Sequence, residues 1–161
     1  MPPASSDNGY NVELADEAAT HALAGRLAGA ARAGDVIALA GELGTGKTSF
    51  ARGFVRALGV EDEVPSPTFT LVQTYDTPRG TVWHFDLYRL ARPDDAYELG
   101  LEEAMGDGIS LIEWPERLGS LLPRERLDVA LATGAAPNAR RATLRASPSW
   151  SARLAKVLQR D

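Results

Sequence analysis

Val36-Ile37-Ala38-Leu39-Ala40-Gly41-Glu42-Leu43-Gly44-Thr45-Gly46-Lys47-Thr48 decides how the chain is read. From Gly41 it runs glycine, four residues, glycine, lysine, threonine, the spacing of a phosphate-cradling P-loop. Gly41, Gly44 and Gly46 reach backbone angles that a side chain forbids, so consecutive N–H groups can turn inward on a phosphate. Lys47 brings a compact charge to the β- and γ-phosphates, and the Thr48 hydroxyl can ligate Mg²⁺. The five residues ahead of Gly41 are an apolar run of strand length. Behind the loop, Phe50, Phe54 and Leu58 recur at helical spacing with Ala51 and Val55 beside them, the stripe of a helix packing on a sheet. Arg52 and Arg56 fall off that stripe, and Gly59 is a helix stop. Strand, loop and helix in this order set the positive end of a helix dipole against phosphate. The chain has many arginines and lysine only at Lys47 and Lys156, so Lys47 stands where a point charge fits better than a planar fork. These residues read as a nucleoside triphosphate site.

The rest of the composition narrows the class. At 161 residues the chain reads as one domain with a real core, and 44% apolar with 24% charged residues is ordinary for a globular protein. A net charge of -5 argues against a free-standing nucleic-acid binder, although a local basic patch around Arg140, Arg141 and Arg145 is compatible with it. No cysteine is present, which excludes disulfides, thiolate metal sites and cysteine nucleophiles. Met1-Pro2-Pro3-Ala4-Ser5-Ser6-Asp7 lacks the basic start and apolar core of a signal peptide, and no apolar run approaches the roughly 20 residues of a membrane span. A cytoplasmic protein is the expectation.

Taken in order, residues 1–9 read as a disordered lead-in and 10–14 as a short edge strand. Asp16 is an N-cap for a helix to about 32, with Ala19, Leu23, Leu27 and Ala30 or Ala31 on one face and His21 as a surface or boundary residue. Glu61-Asp62-Glu63 reads as a solvated turn, and the two prolines of Val64-Pro65-Ser66-Pro67-Thr68-Phe69 favour a restrained, extended loop. Strands over 70–77 and 81–88 around Pro78-Arg79-Gly80 form a hairpin, so part of the sheet is antiparallel. Alternation puts Trp83, Phe85 and Leu87 on one face and Val82, His84 and Asp86 on the other. A polar loop over 89–95 leads to a short helix carrying Tyr97, Leu99, Leu101 and Ala104. A buried strand over 109–114 follows, then helical turns from Pro115, strands over 127–131 and 142–146, and a terminal helix within 147–161.

A P-loop needs an acidic partner near its metal, usually at the end of a buried strand. Glu113 fits best, because a carboxylate closing the run Ile109-Ser110-Leu111-Ile112 is costly without a cation. Asp86 is the second candidate, as a metal ligand through water, as a group orienting an attacking water, or simply as a hydrogen-bonded strand aspartate. The hydroxyls of Ser66-Pro67-Thr68 stand where GTPase-like proteins sense the γ-phosphate, and a plain turn reads equally well. Trp114 reads as core or interface, and Arg89 and Arg92 read as transition-state cations or as surface charge.

Gly41-Glu42-Leu43-Gly44-Thr45-Gly46-Lys47-Thr48, Ser66-Pro67-Thr68-Phe69-Thr70, His84-Phe85-Asp86-Leu87-Tyr88-Arg89-Leu90, Leu99-Gly100-Leu101-Glu102-Glu103 and Glu113-Trp114-Pro115 occur in that order. Together they resemble the bacterial TsaE (YjeE-type) P-loop ATPases of tRNA threonylcarbamoyladenosine synthesis, over about residues 12–145. The resemblance implies an α/β P-loop NTPase fold, a mixed sheet of parallel core and antiparallel hairpin flanked by helices. It implies ATP binding and hydrolysis that reset a TsaD–TsaB complex, which itself threonylcarbamoylates adenosine 37, so tRNA is met only through that complex. Because the chain offers no clear arginine finger, hydrolysis by the protein alone is expected to be slow. It assigns Gly44, Thr45, Gly46, Lys47, Thr48 and Ser49 to the phosphates and Thr48 and Glu113 to Mg²⁺. Asp86 is needed for activity, alongside Lys47 and Glu113, and Glu17, in Leu14-Ala15-Asp16-Glu17, is a contact near the adenine. Ser49 stands where threonine is commoner and keeps the hydroxyl.

Two other readings share the P-loop. A small-molecule or nucleotide kinase needs an acceptor pocket and an arginine-rich lid, for which only Arg124-Glu125-Arg126 offers itself. A nucleotide-gated interaction protein needs binding with hardly any turnover. A GTPase is disfavoured, because neither lysine follows an asparagine as an Asn-Lys-x-Asp motif requires.

Overall fold

The computed structural model describes residues 9–61, 63–67 and 70–159. Its elements are β1 (Gly9–Leu14), α1 (Glu17–Ala30), β2 (Val36–Ala40), α2 (Lys47–Ala57), β3 (Val72–Thr77) and β4 (Gly80–Asp86). A 3₁₀ segment (Pro93–Leu99), α3 (Leu101–Asp107), β5 (Ile109–Glu113) and a second 3₁₀ segment (Pro115–Leu121) follow, then β6 (Leu127–Thr133), β7 (Arg140–Ala146) and α4 (Pro148–Leu158). The described strands form one seven-stranded sheet in the order β1-β7-β6-β2-β5-β4-β3. Strands β6, β2, β5 and β4 are mutually parallel; β3 and β7 pair antiparallel at its two sides, and β1 pairs antiparallel with β7. The mixed α/β sheet flanked by helices is the architecture expected, with a second antiparallel set at the far edge.

Both faces of the parallel core are covered, as such strands require. Ile37, Leu39, Ile109, Leu111 and Val82 face a layer containing Phe50 and Phe54 of α2, Leu23 and Leu27 of α1, and Trp150 and Leu154 of α4. Val36, Ile112 and Phe85 face a smaller cluster built on Leu101, Ala104 and Leu118. Full burial of each large apolar side chain contributes about 1.5–3 kcal/mol.

Several boundaries differ from expectation for local reasons. Asp16 does cap α1, accepting from the Ala19 N–H at 2.9 Å, but the buried stripe is Thr20, Leu23, Ala24, Leu27 and Ala28, and the helix ends at Ala30. Strand β4 stops at Asp86 because that carboxylate accepts the Tyr88 N–H at 3.1 Å and turns the chain. The helix expected around Tyr97 to Ala104 divides at Gly100, whose φ of 93° brings it against the Trp83 ring. Strands β6 and β7 pair over their full lengths, from Leu127 with Ala146 to Thr133 with Arg140, because a ladder in register carries polar residues that hydrophobicity alone leaves out. The expected lead-in lies outside the described residues except for Gly9, which opens β1; Asp62, Thr68 and Phe69 also lie outside them.

Helices α1 and α2 cross closely at Gly53, where an added Cβ would lie 2.8 Å from the His21 Cα. Gly53→Ala therefore sets a helix-propensity gain of about 1 kcal/mol against overpacking of about 1–3 kcal/mol. The expected outcome is a net loss of stability, read as a lower urea midpoint; a higher midpoint contradicts this contact.

Candidate functional site

The carboxyl ends of β2, β5 and β4 lie side by side, the place where open α/β sheets bind ligands. The glycine loop leaves β2 there. Gly41 has φ 140°, and a Cβ on it would lie 2.4 Å from the Leu131 carbonyl oxygen, so the first loop glycine is required by the neighbouring strand β6. Gly44 and Gly46 also have positive φ, and α2 begins after Gly46 with no side chain capping its first turn. Thr45 fastens the loop by donating to the Glu42 carbonyl at 2.7 Å.

Lys47 is 5% exposed. Its Nζ donates to the Gly41 and Glu42 carbonyls at 2.6 and 3.0 Å and lies 4.2 Å from the Trp114 ring centroid. Burial holds its pKa below the usual lysine value, while the carboxylates of Glu113, Asp86 and Glu116 pull in the opposite direction. Glu113, 3% exposed at the end of β5, accepts from the Thr48 hydroxyl at 3.0 and 3.3 Å. It also accepts from His84 Nε2 at 2.6 Å, with His84 fully buried. A carboxylate only accepts, so Nε2 carries the hydrogen; the buried Nδ1 has no partner among the described residues. Asp86 stands beside Glu113 in the parallel register of β4 and β5.

Two cavities meet at Gly46 and Ser49. One, of about 220 Å³, is lined by Gly44, Lys47, Thr48, Ser66, Asp86, Glu113 and Trp114 among others, so it collects the loop, the second expected hydroxyl segment and both carboxylates. The other, of about 450 Å³, is lined by Asp16, Glu17, Thr20, Asn138 and Arg140 as well. Ser49 joins it to the loop helix: its hydroxyl donates to Glu17 at 2.7 Å and accepts from His21 Nε2 at 3.0 Å. All of Glu17, Gly44, Thr45, Gly46, Lys47, Thr48, Ser49, Asp86 and Glu113 are thus brought to one end of the sheet.

The donor set suits the expected metal and nucleotide. Cis ligands of an octahedral Mg²⁺ lie about 2.9 Å apart, close to the 3.0 Å between the Thr48 and Glu113 oxygens. The first cavity, of about 220 Å³, sets Lys47 beside the glycine loop, a donor set that fits a phosphate chain, and the second, of about 450 Å³, adjoins it at Gly46 and Ser49. Arg89 and Arg92 are exposed and line neither cavity.

Sequence reasoning missed the contacts of five residues. His21 is a partner of Ser49 and no bystander. His84 holds Glu113. Arg140, expected in a basic patch, instead donates to the Gly44 carbonyl at 3.2 Å and lies beside Gly46. Arg141 of that patch pairs with Glu13. Trp114 packs against the smaller core cluster as expected, but it also covers Lys47 and is itself packed by Tyr88 at 4.9 Å between centroids. The one local signal was the alternation that put His84 and Asp86 on the same side of β4. Leu71 and Trp114 hold φ of 69° and 60°, uncommon for such residues, and they flank the Ser66 segment and Glu113.

Comparison with known proteins gives the family. The profile of the family described as "Threonylcarbamoyl adenosine biosynthesis protein TsaE" matches residues 14–142. The chain belongs to the TsaE family. A TsaE relative from Rickettsia bellii is 43% identical over 119 residues, 73% of this chain and 83% of the relative. The Bacillus subtilis TsaE protein is 41% identical over 113 residues, 70% of each chain. The crystal structure of B. subtilis YdiB superposes with a TM-score of 0.74 at 30% identity, covering 94% of both chains. The TsaE match begins at Leu14 and so takes in both cavities.

The lowered Lys47 pKa has a signed consequence. Between its folded value and the ordinary 10.5, the unfolded chain binds more protons, so folding stability gains with rising pH. The stability of the native chain relative to Lys47→Met is expected to increase with pH across that window, measured by urea unfolding without nucleotide. A flat or falling difference contradicts the burial of this ammonium.

Proposed function

We propose that this protein is a magnesium-dependent ATP-binding and slowly ATP-hydrolysing member of tRNA threonylcarbamoyladenosine biosynthesis. Family membership supports the pathway. The observation that carries the nucleotide reading is the convergence of Lys47, Thr48 and Glu113 on one cavity behind a glycine loop. In this reading the loop amides and Lys47 bind the polyphosphate. Thr48 and Glu113 would hold Mg²⁺, which would supply neutralisation of phosphate charge. His84 fixes the Glu113 carboxylate. Asp86 orients a water that attacks the γ-phosphorus as its bond to the β-bridging oxygen breaks, leaving ADP and inorganic phosphate. Glu17 faces the nucleoside.

Slow turnover alone follows from the cations at hand. No arginine is among the described residues lining the polyphosphate cavity, and such a residue contributes orders of magnitude in related chemistry. The protein then acts with a TsaD–TsaB complex in the cytoplasm, meeting tRNA in that assembly. No described helix is long and apolar enough to cross a membrane. A kinase would need an acceptor pocket at the γ-phosphate end, and a cavity of about 650 Å³ is lined by none of the loop residues.

Calorimetry tests the assignment. Lys47→Ala is expected to weaken Mg-ATP binding roughly 100-fold, the loss of a charged hydrogen-bonding partner. Glu113→Ala is expected to weaken binding roughly tenfold with Mg²⁺ and hardly at all with a chelator; equal losses remove Glu113 from the metal site. Phosphate release measured with and without TsaD–TsaB separates an ATPase from a protein in which nucleotide only gates binding.

His84 supplies a further prediction. His84→Ala leaves Glu113 short of a donor, and His84→Gln can restore one. The expected pattern is weaker Mg²⁺ dependence of ATP binding in the alanine variant with partial recovery in the glutamine variant. Loss of stability in both with Mg²⁺ dependence intact would make His84 structural only.

A further inference from the structure

A cavity of about 650 Å³ is at the opposite end of the parallel strands from the glycine loop. It lies where α1 ends, beside the β3–β4 turn and α4. Its cationic lining is Arg26, Arg32, Arg79, Arg153 and Lys156, and among the described lining residues there is no carboxylate. That concentration stands out in a chain of net charge -5, and it includes one of only two lysines.

Part of this cluster is fixed by the fold. Arg153 forms a bidentate pair with Asp35 at 2.8 and 3.0 Å, donates to the Ala30 carbonyl, and lies over the Trp150 ring. Arg79 donates to the Ala31 carbonyl at 3.0 Å. By contrast, the Arg32 and Lys156 side chains are exposed and have no hydrogen-bond or ion-pair partner among the described residues. Like charges gathered around a low-dielectric concavity repel one another and focus a positive field outward. With Arg153 balanced by Asp35, Arg32, Arg79 and Lys156 still bring three positive charges from separate segments, more than one phosphate would neutralise. Successive phosphates of a strand would, and backbone phosphates are the usual targets of Arg and Lys on nucleic acid. The negative total charge does not oppose this, because the field of a cavity is local.

We propose that this cavity is a binding site for the phosphate backbone of RNA, apart from the nucleotide site at the other end of α1. The inference rests on the tRNA pathway given by family membership and not on ATP hydrolysis. It adds a direct RNA contact to a protein otherwise expected to meet tRNA through its partners.

Fluorescence anisotropy with a labelled tRNA transcript, over a series of KCl concentrations, tests it on the full chain. Arg32→Glu with Lys156→Glu is expected to weaken RNA binding at least about tenfold and to lower the slope of log affinity against log salt by about 1–2. Gly29→Leu provides a second variant: a Cβ at this helical position meets nothing within 4 Å, and leucine favours helix, so it obstructs the cavity without changing charge. It too should weaken RNA binding. Unchanged affinity in both variants, or no binding by the native chain at 50 mM KCl, overturns the proposal. Inorganic pyrophosphate titrated into Lys47→Ala separates a small-anion site: heat there without RNA binding by the native chain also overturns it. Mg-ATP calorimetry is run in parallel, with unchanged binding expected in the cavity variants. Loss of both ligands by the charge-reversed variant overturns a separate site. A native chain that binds RNA but not ATP keeps this site and removes the nucleotide reading; ATP binding without RNA binding does the reverse.

Discussion

A glutamate buried at the end of a central strand is the constraint on which the rest of the structure depends. An ionised carboxylate withdrawn from water costs several kcal/mol unless donors and opposite charge surround it. Glu113 receives a hydroxyl hydrogen from Thr48 and a ring N–H from His84, and the Lys47 ammonium acts on the same cavity. Each donor comes from a different element: α2 supplies one, β4 another. The strand order β2-β5-β4 is what allows them to meet. A shift of one residue in the β4–β5 register would turn His84 to the other face and leave the carboxylate short of a donor.

The same compensation explains the state of Lys47. It is nearly enclosed, tied to two loop carbonyls and covered by Trp114, so its ammonium is destabilised by burial and partly restored by neighbouring carboxylates. A group in this condition gains from an anion more than an exposed lysine would, because the ligand replaces missing solvation. The left-handed backbone at Trp114 keeps the ring in place directly after Glu113. Lys47, Glu113 and the residues that support them are therefore coupled through packing as well as through charge.

Charge is also segregated along α1. Its first turn presents Glu17 to Ser49 and the cavity of about 450 Å³, whereas the opposite end leads into the basic cavity with Arg32. The helix is held between them by its crossing with α2 at Gly53 and by a buried face of leucines and alanines. One rigid element thus borders two surfaces of opposite electrostatic character.

The sequence by itself determined the glycine loop, the strand and helix on either side of it, and Glu113 as a strand-end carboxylate. These are local patterns: glycine spacing, apolar period and position within a run each act over a few residues. Only the tertiary structure decided that His84 holds Glu113, that His21 and Glu17 close on Ser49, that Arg140 lies on the loop, and that cations from three distant segments gather at the far end. Those contacts join residues 28 to 123 positions apart. They depend on strand order and register, which arise from the whole core packing at once and leave no trace in the periodicity of any one segment.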